Sequence, residues 1–236
     1  YDRKPIYTTM VDKVAVKDYV AKIIGEEYII PTLGTWKSFD EINFEKLPNQ
    51  FVLKASNGGG NTGVIICKDK DTLDKKQAKK KLEKSLNTSI YKYYKEWPYK
   101  SVDLQILAEE IIIDESSSSL VDYKFYCFNG EPKLLFVATG RGEDVKFDYY
   151  DMNFNRLPIK KGHKDNSKYG IEKPINFDKM IDIAEKLSQG IPHVRIDLYN
   201  VKGKIYFGEI TFYTGSGFSP FEPDEWDYTL GSWIKF

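Results

Sequence analysis

Cysteine, histidine and methionine are scarce in this chain of 236 residues, which holds two Cys, two His and three Met. Cys67 and Cys127 sit inside strand-like runs without C-x-x-C or metal-ligand spacing, so they read as packed thiols and not as a disulfide or a metal site. A reducing, cytoplasmic setting fits that usage. His163 and His193 are isolated, which points to surface or core roles over catalytic ones. An excess of one charge is missing as well: 35 Lys+Arg balance 35 Asp+Glu. No global field therefore selects nucleic acid or an anionic membrane as the main partner. No apolar run approaches the roughly 20 residues of a membrane span, and no signal peptide precedes Tyr1. The opening "YDRKPIYTTM" carries neither an initiator Met nor a helix cap, and reads as lacking a native N-terminal segment. No repeat or long linker interrupts the chain.

What the sequence does contain is a lysine followed by glycines, "FVLKASNGGGNTGVIICK", residues 51 to 68. Gly58, Gly60 and Gly63 satisfy G-x-G-x-x-G, which in a dinucleotide-binding fold follows a strand and opens a helix. Here the next run, Val64-Ile65-Ile66-Cys67, is short and β-branched and reads as a second strand. No Gly-Lys-Ser/Thr closes a Walker loop. A strand, glycine flap, strand hairpin remains. Such a flap can lay backbone N–H groups over phosphates, because a Cβ would block close approach; an ordinary mobile hairpin is the other reading, and the loop alone does not choose.

The rest alternates helix and strand. "VDKVAVKDYVAKIIG" places Val14, Val16, Tyr19, Val20 and Ile23 near helical spacing and ends at Gly25. "TLDKKQAKKKLEKSLNTSIYKYY" carries Ala78, Leu82, Leu86 and Ile90 at four-residue intervals, its lysines forming a solvated face. Strand-like runs follow in "DLQILAEEIII", "VDYKFYCFNGEPKLLFVATG" and "VKFDYYDMNF", with Asn129-Gly130 as a hairpin turn. A second amphipathic helix spans about Phe177 to Leu187, with Gly190 past its end. The last hairpin turns at Lys202-Gly203. On its first strand Arg195, Asp197 and Tyr199 share a polar face; on its second, Phe207, Glu209 and Thr211 share a face. If the two sets meet, two carboxylates lie side by side, which is unfavourable unless a cation sits between them. Mg²⁺ is one such cation, taking one or two carboxylates plus phosphate oxygens. An internal pair of Arg195 with Asp197 or Glu209 is the other.

In their order and separation, "DKVAVKDYV" (12 to 20), "FVLKASNGGGNTGV" (51 to 64), "LAEEII" (107 to 112), "VDYKFYCFNGEP" (121 to 132) and "VRIDLYNVKGKIYFGEITFYTGSGF" (194 to 218) resemble the ATP-grasp superfamily, and more closely its TupA-like branch, named for teichuronopeptide biosynthesis. The resemblance covers nearly the whole chain. It implies an α+β ATP-grasp fold, two lobes with antiparallel sheets gripping nucleotide between them. The expected parts are a helical lead-in over 1–50, a small lobe with the glycine flap over 51–106, and a large lobe with adenine hinge and metal hairpin over 107–236.

The same resemblance implies roles for individual residues. Lys13 and Lys54 are expected to bind nucleotide phosphates, a task for mobile point charges, with Gly58, Gly59 and Gly60 as the flap. Glu109, with the backbone of Glu110 and Ile112, is expected at the adenine, Asp122 at the ribose, and Lys124 at a phosphate or substrate carboxylate. Arg195 is expected to steady the phosphoryl group or acyl phosphate with its planar fork of donors. Asp197 and Glu209 match the Mg²⁺ ligands; Thr211 stands where the family usually has Asn, a departure at the second metal position. A further departure is that the N-terminal lobe which precedes the Asp-Lys opening in many such ligases, and often carries substrate contacts, is missing from this sequence. The implied activity is ATP-dependent ligation of a carboxylate to an amine through an acyl phosphate, with Mg²⁺, on a surface-polysaccharide or teichuronopeptide-type acceptor. A protein kinase is excluded by the lack of His-Arg-Asp and Asp-Phe-Gly segments. A glycosyltransferase of surface polysaccharide synthesis, and a non-catalytic nucleotide- or glycan-binding module suited to 15% aromatic residues, stay open.

Overall fold

The computed structural model describes residues 2–58, 62–115, 119–140, 144–162 and 164–236. It divides into two units, Tyr1–Ala21 with Ile29–Ile112, and Lys22–Tyr28 with Ile113–Phe236.

The first unit contains α1 (Ile6–Val11), the start of α2 (Ala15–Ile24), β1 (Thr32–Trp36), β2 (Phe51–Ala55), β3 (Val64–Cys67), α3 (Lys75–Leu86), α4 (Ile90–Tyr94) and β4 (Ile106–Glu109). Its antiparallel sheet runs in the order β1-β4-β2-β3. The alternation of β2 sorts its side chains. Phe51, Leu53 and Ala55 are buried with Ala78 and Leu82 of α3, together with Ile106 and Ala108 of β4. Lys54 and Glu109 fall on the opposite face. The expected boundary at residue 106 falls inside this sheet, because the ladders from β1 and β2 hold Ile106–Glu109 in the first unit. The helical spacing through Ile90 is also interrupted. Asn57 aims its amide at the carbonyls of Ser85, Leu86 and Thr88, 3.2–3.3 Å away, which satisfies the end of α3. Ser89 then caps the start of α4.

The second unit contains β5 (Asp122–Phe128), β6 (Glu131–Thr139), β7 (Lys146–Tyr150), β8 (Arg156–Leu157), β9 (Lys160–Lys161), α5 (Phe177–Ser188), β10 (His193–Val201), β11 (Lys204–Thr211), β12 (Phe221–Glu222) and α6 (Glu225–Ser232). Six strands form an antiparallel sheet in the order β11-β10-β5-β6-β7-β8, and β12 pairs β9. The turns at Asn129-Gly130 and Lys202-Gly203 take positive φ at both residues, the geometry that suits the twist of a two-residue hairpin. One sheet face packs on α5, where Phe177 lies 6.0 Å from the Phe125 ring. Cys127, on that same face, is fully buried, which pushes its thiol up to about 12. Both cysteines are free and buried, as packed thiols should be. The opposite face carries the polar side chains and, toward β7, an aromatic cluster of Tyr126, Phe128, Phe136, Tyr149 and Phe221.

One expectation about this sheet is corrected. Alternation put Phe207, Glu209 and Thr211 on one face, but Leu198 pairs Phe207 while Asp197 pairs Glu209, leaving Gly208 as an extra residue. That bulge reverses the alternation, sending Phe207 to the core face with Leu198 and Glu209 to the face of Asp197. Glycine is required there, because an added Cβ would lie 2.9 Å from the Asp197 carbonyl oxygen.

Candidate functional site

In the first unit the charged residues converge on Glu109, which is 4% exposed. Lys54 is a diagonal cross-strand neighbour and pairs with Glu109 Oε2. Lys17, one helical turn after Lys13 on α2, reaches Glu109 Oε1 at 2.7 Å and donates to the Ile30 carbonyl at 2.6 Å. Burial pushes the Glu109 carboxyl up, yet Lys54 and Lys17 outweigh it and hold the group below its usual value. Burial draws the Lys17 ammonium below its ordinary range, partly offset by Glu109. Lys17 escaped the sequence reading, which took α2 as an amphipathic helix and left this lysine on its inner side. Asp12 caps α2, accepting from the N–H groups of Val14 and Ala15 at 2.8 and 3.3 Å.

Lys13 donates to the Gly58 carbonyl. The Gly58 N–H donates to Ala55 at 3.1 Å, and a Cβ on Gly58 would meet Ser85 Oγ at 3.1 Å. Gly63 packs tighter still, a Cβ there lying 2.4 Å from the same Oγ. These two glycines anchor the hairpin base against α3. Gly59 and Gly60, expected at phosphates, lie outside the described residues, as does His163. The structure places Glu110 at the surface with its N–H donating to the Pro31 carbonyl at 3.1 Å, so that donor is already engaged. Ile112 lies beyond β4 and half-buried.

In the second unit the register brings the expected residues together. Arg195 pairs Thr211 on one side and Tyr126 on the other, and Asp197 pairs Glu209 and Lys124. The guanidinium of Arg195 donates from Nε to Asp197 Oδ1 at 2.6 Å, and from Nη2 to Asp197 Oδ2 at 2.8 Å, to Glu209 Oε1 at 2.8 Å and to Thr211 Oγ1 at 3.0 Å. Thr211 in turn donates to Glu209 Oε1 at 3.0 Å. The cation between the two carboxylates is thus Arg195 itself. Burial opposes the Arg195 charge, and Asp197 with Glu209 overcomes it, raising that group further above its usual range. Lys124 pairs with Asp197 and lies 3.3 Å from Asp122, which is 1% exposed. Burial lowers Lys124 despite these carboxylates. Among the described residues no group of three or more His, Cys, Asp and Glu converges. The oxygen set of Asp197, Glu209 and Thr211 nevertheless fits a hard divalent cation in kind, two carboxylates being the usual protein share for Mg²⁺.

His193 stacks on Phe128 at 4.5 Å and places Nδ1 3.0 Å from the Cys127 carbonyl. Burial holds its imidazole below its ordinary range, as suits a packed histidine.

The chain is an α+β protein of the ATP-grasp class. In fold it is similar to D-alanine–D-alanine ligase from Helicobacter pylori at 18% identity, over 88% of this chain and 55% of that one, with TM-score 0.45. It is similar to the Bacillus anthracis D-alanine–D-alanine ligase complexed with ATP at 15% identity, over 86% and 54%, with TM-score 0.49. A RimK-domain ATP-grasp protein from Sphaerobacter thermophilus matches at 8% identity, over 87% and 60%, with TM-score 0.49. The chain spans 55% and 54% of the two ligases. No curated protein matches the sequence. The sequence family described as TupA-like ATP-grasp matches residues 1–235, and the chain belongs to it. No helix among the described residues is long and apolar enough to cross a membrane.

Proposed function

We propose that the chain is an ATP-dependent carboxylate–amine ligase that works through an acyl phosphate. The observation that carries this reading is the opposite charge imbalance of its two clusters. In the first unit Lys17 and Lys54 share one buried carboxylate, Glu109, while Lys13 donates to a backbone carbonyl at Gly58, leaving a surplus of positive charge suited to phosphates. In the second, Asp122, Asp197 and Glu209 face Lys124 and Arg195, leaving a surplus of negative charge suited to a cation. The first cluster suits the phosphates of a nucleotide, and the second suits a divalent cation.

Each residue then has a task. Glu109 holds Lys54 and Lys17 extended, so the ammonium groups are positioned before phosphate arrives. Lys13 ties the flap base, and the phosphate donors of the flap fall to Gly59 and Gly60, with Gly58 as their anchor. With the Glu109 carboxylate on the two lysines and the Glu110 N–H on Pro31, the adenine falls to the Glu110 carbonyl and the backbone of Ile112, and the ribose to Asp122. Asp197, Glu209 and Thr211 would hold Mg²⁺, which supplies charge neutralisation on a phosphoryl group in transfer. Arg195 steadies the transferred group by exchanging a carboxylate oxygen for a phosphoryl oxygen, and Lys124 orients Asp197. The acceptor we infer is a sugar-acid carboxylate of a cell-surface polysaccharide precursor, joined to an amine in the cytoplasm. The resemblance to the teichuronopeptide branch supports that class.

Calorimetric titration with Mg·ATP and with UDP-glucose tests the nucleotide, and hydroxylamine trapping with ATP and hexuronates tests the acyl phosphate, which it converts to a hydroxamate with release of phosphate. ATP binding with hydroxamate formation is expected. Binding of UDP-glucose in place of ATP would transfer the chain to the glycosyltransferases.

A further inference from the structure

The polar face of the second unit continues past Arg195 into the aromatic cluster. Register places Tyr126 opposite Arg195, and Tyr149 opposite Phe136, on this same face. Tyr149 is 0% exposed and its hydroxyl has no hydrogen-bond partner. Lys161, on β9, stands with its ammonium 4.4 Å from the Phe221 ring centroid and 3.4 Å from the Tyr126 hydroxyl. Among the described residues no carboxylate lies in ion-pair range of it. Phe221 is the hub: its ring lies 6.3 Å from that of Tyr126 and 6.0 Å from that of Tyr149. One phenylalanine is therefore ringed by an ammonium and two phenols, with Arg195 on the neighbouring strand.

A buried phenol without an acceptor and a half-buried ammonium without an anion are both unfavourable, and such groups in a native structure call for an explanation, a bound ligand being one. Burial and the nearby Arg195 draw Lys161 down to about 8, the direction expected of a cation short of a counter-ion. What completes the set must supply acceptor oxygens and negative charge, and have an apolar face to lie on Phe221 and Phe136. A carboxylate on a ring meets all three needs, its two oxygens answering the ammonium and the Tyr149 hydroxyl. We infer that Lys161, Tyr149 and Tyr126 form a subsite for a carboxylate on a ring-shaped acceptor substrate, walled by Phe221 and Phe136. This rests on the ligase reading for the word acceptor, and on the geometry alone for the carboxylate.

The test titrates the full chain with sodium glucuronate, with its neutral isostere glucuronamide and with inorganic phosphate, following heat and ligand-observed NMR, in wild type, Lys161→Met and Tyr149→Phe. Tyr149→Phe removes only a hydroxyl without a partner, so it should melt at or above the wild-type temperature and report on binding and not on folding. Glucuronate should bind the wild type in preference to both comparators. Loss of a charge-assisted hydrogen bond should weaken it at least about tenfold in Lys161→Met and severalfold in Tyr149→Phe. Mg·ATP affinity should be unchanged in both variants. Equal glucuronate binding in all three proteins, no binding by wild type, glucuronamide binding as well as glucuronate, or preference for phosphate would each overturn the subsite. Failure of wild type to bind Mg·ATP would instead remove the ligase reading, leaving the glucuronate comparison to decide the subsite by itself.

Discussion

Arg195→Met removes the one cation that both Asp197 and Glu209 share. Nη2 lies 2.8 Å from Asp197 Oδ2 and 2.8 Å from Glu209 Oε1, so these two oxygens are less than about 6 Å apart. At that separation an effective dielectric constant near 20 gives a repulsion of about 3 kcal/mol once the guanidinium is gone. Lys124 still faces Asp197 and offsets part of it, while the donors lost by Asp197 and by the Thr211 hydroxyl add to the cost. A net loss of about 3–5 kcal/mol follows, the range for breaking a buried pair by removing one partner. Urea denaturation at neutral pH measures it, with an unchanged m-value showing that the unfolded state is the same. On the proposed metal role, millimolar Mg²⁺ should raise the melting temperature of the variant more than that of wild type, because a ligand stabilises only the state it binds. A variant within about 0.5 kcal/mol of wild type, the spread of ordinary surface changes, would refute the bridging role of Arg195.

Three further outcomes are expected. Gly208→Val should cost about 1–3 kcal/mol by urea denaturation, since a Cβ 2.9 Å from the Asp197 carbonyl forces the bulge open; Gly231→Val, where a Cβ meets nothing within 4 Å, is the control for glycine loss in general. Asn57→Ala removes the side-chain donor shared by the carbonyls of Ser85, Leu86 and Thr88, of which Ser85 keeps the Thr88 N–H, and should cost about 1–3 kcal/mol, with faster amide exchange in α3. The third concerns Lys161, whose surroundings hold Arg195, Tyr126, His193 and the more distant Asp227. Its folded pKa of about 8 lies below the 10.5 of an ordinary lysine, so between these values the unfolded chain binds more protons and stability rises with pH. The gain reaches up to roughly 3 kcal/mol before screening of the part-exposed ammonium reduces it, and Lys161→Met should lose that slope in denaturation curves taken from neutral pH to about pH 10.

The elements legible in the sequence are those in which local spacing and packing agree. The helix at Phe177 shows its inner face every three to four residues, and that face meets the sheet at Phe125 and Cys127. Asn129-Gly130 announces a hairpin because both residues tolerate positive φ, which they take. The helix expected to run on to Ile90 fails at Asn87 for a reason thirty residues away. Asn57 supplies the donors that let the chain stop, and nothing near Leu86 reveals it.

The candidate site is harder to read for a related reason. A residue type at a spacing names a charge, while the partner of that charge depends on cross-strand register. Straight alternation along β11 would set Gly208 against Asp197 and Glu209 against Ile196, burying a carboxylate in the core. One glycine that can accept an extra-residue bulge prevents it, and the signal is the glycine itself, inside a strand otherwise rich in β-formers. Lys17 and Lys161 hide in the opposite way. Each sits in a run whose pattern already has an explanation, an amphipathic helix for one and a two-residue strand for the other, so only the distance to Glu109 or to Phe221 sets it apart from a solvated lysine. Both lysines are drawn below their usual range by burial, but Lys17 has a carboxylate to hold it and Lys161 has a phenol. That difference, a carboxylate partner against a phenol, is what the proposed roles of the two lysines rest on.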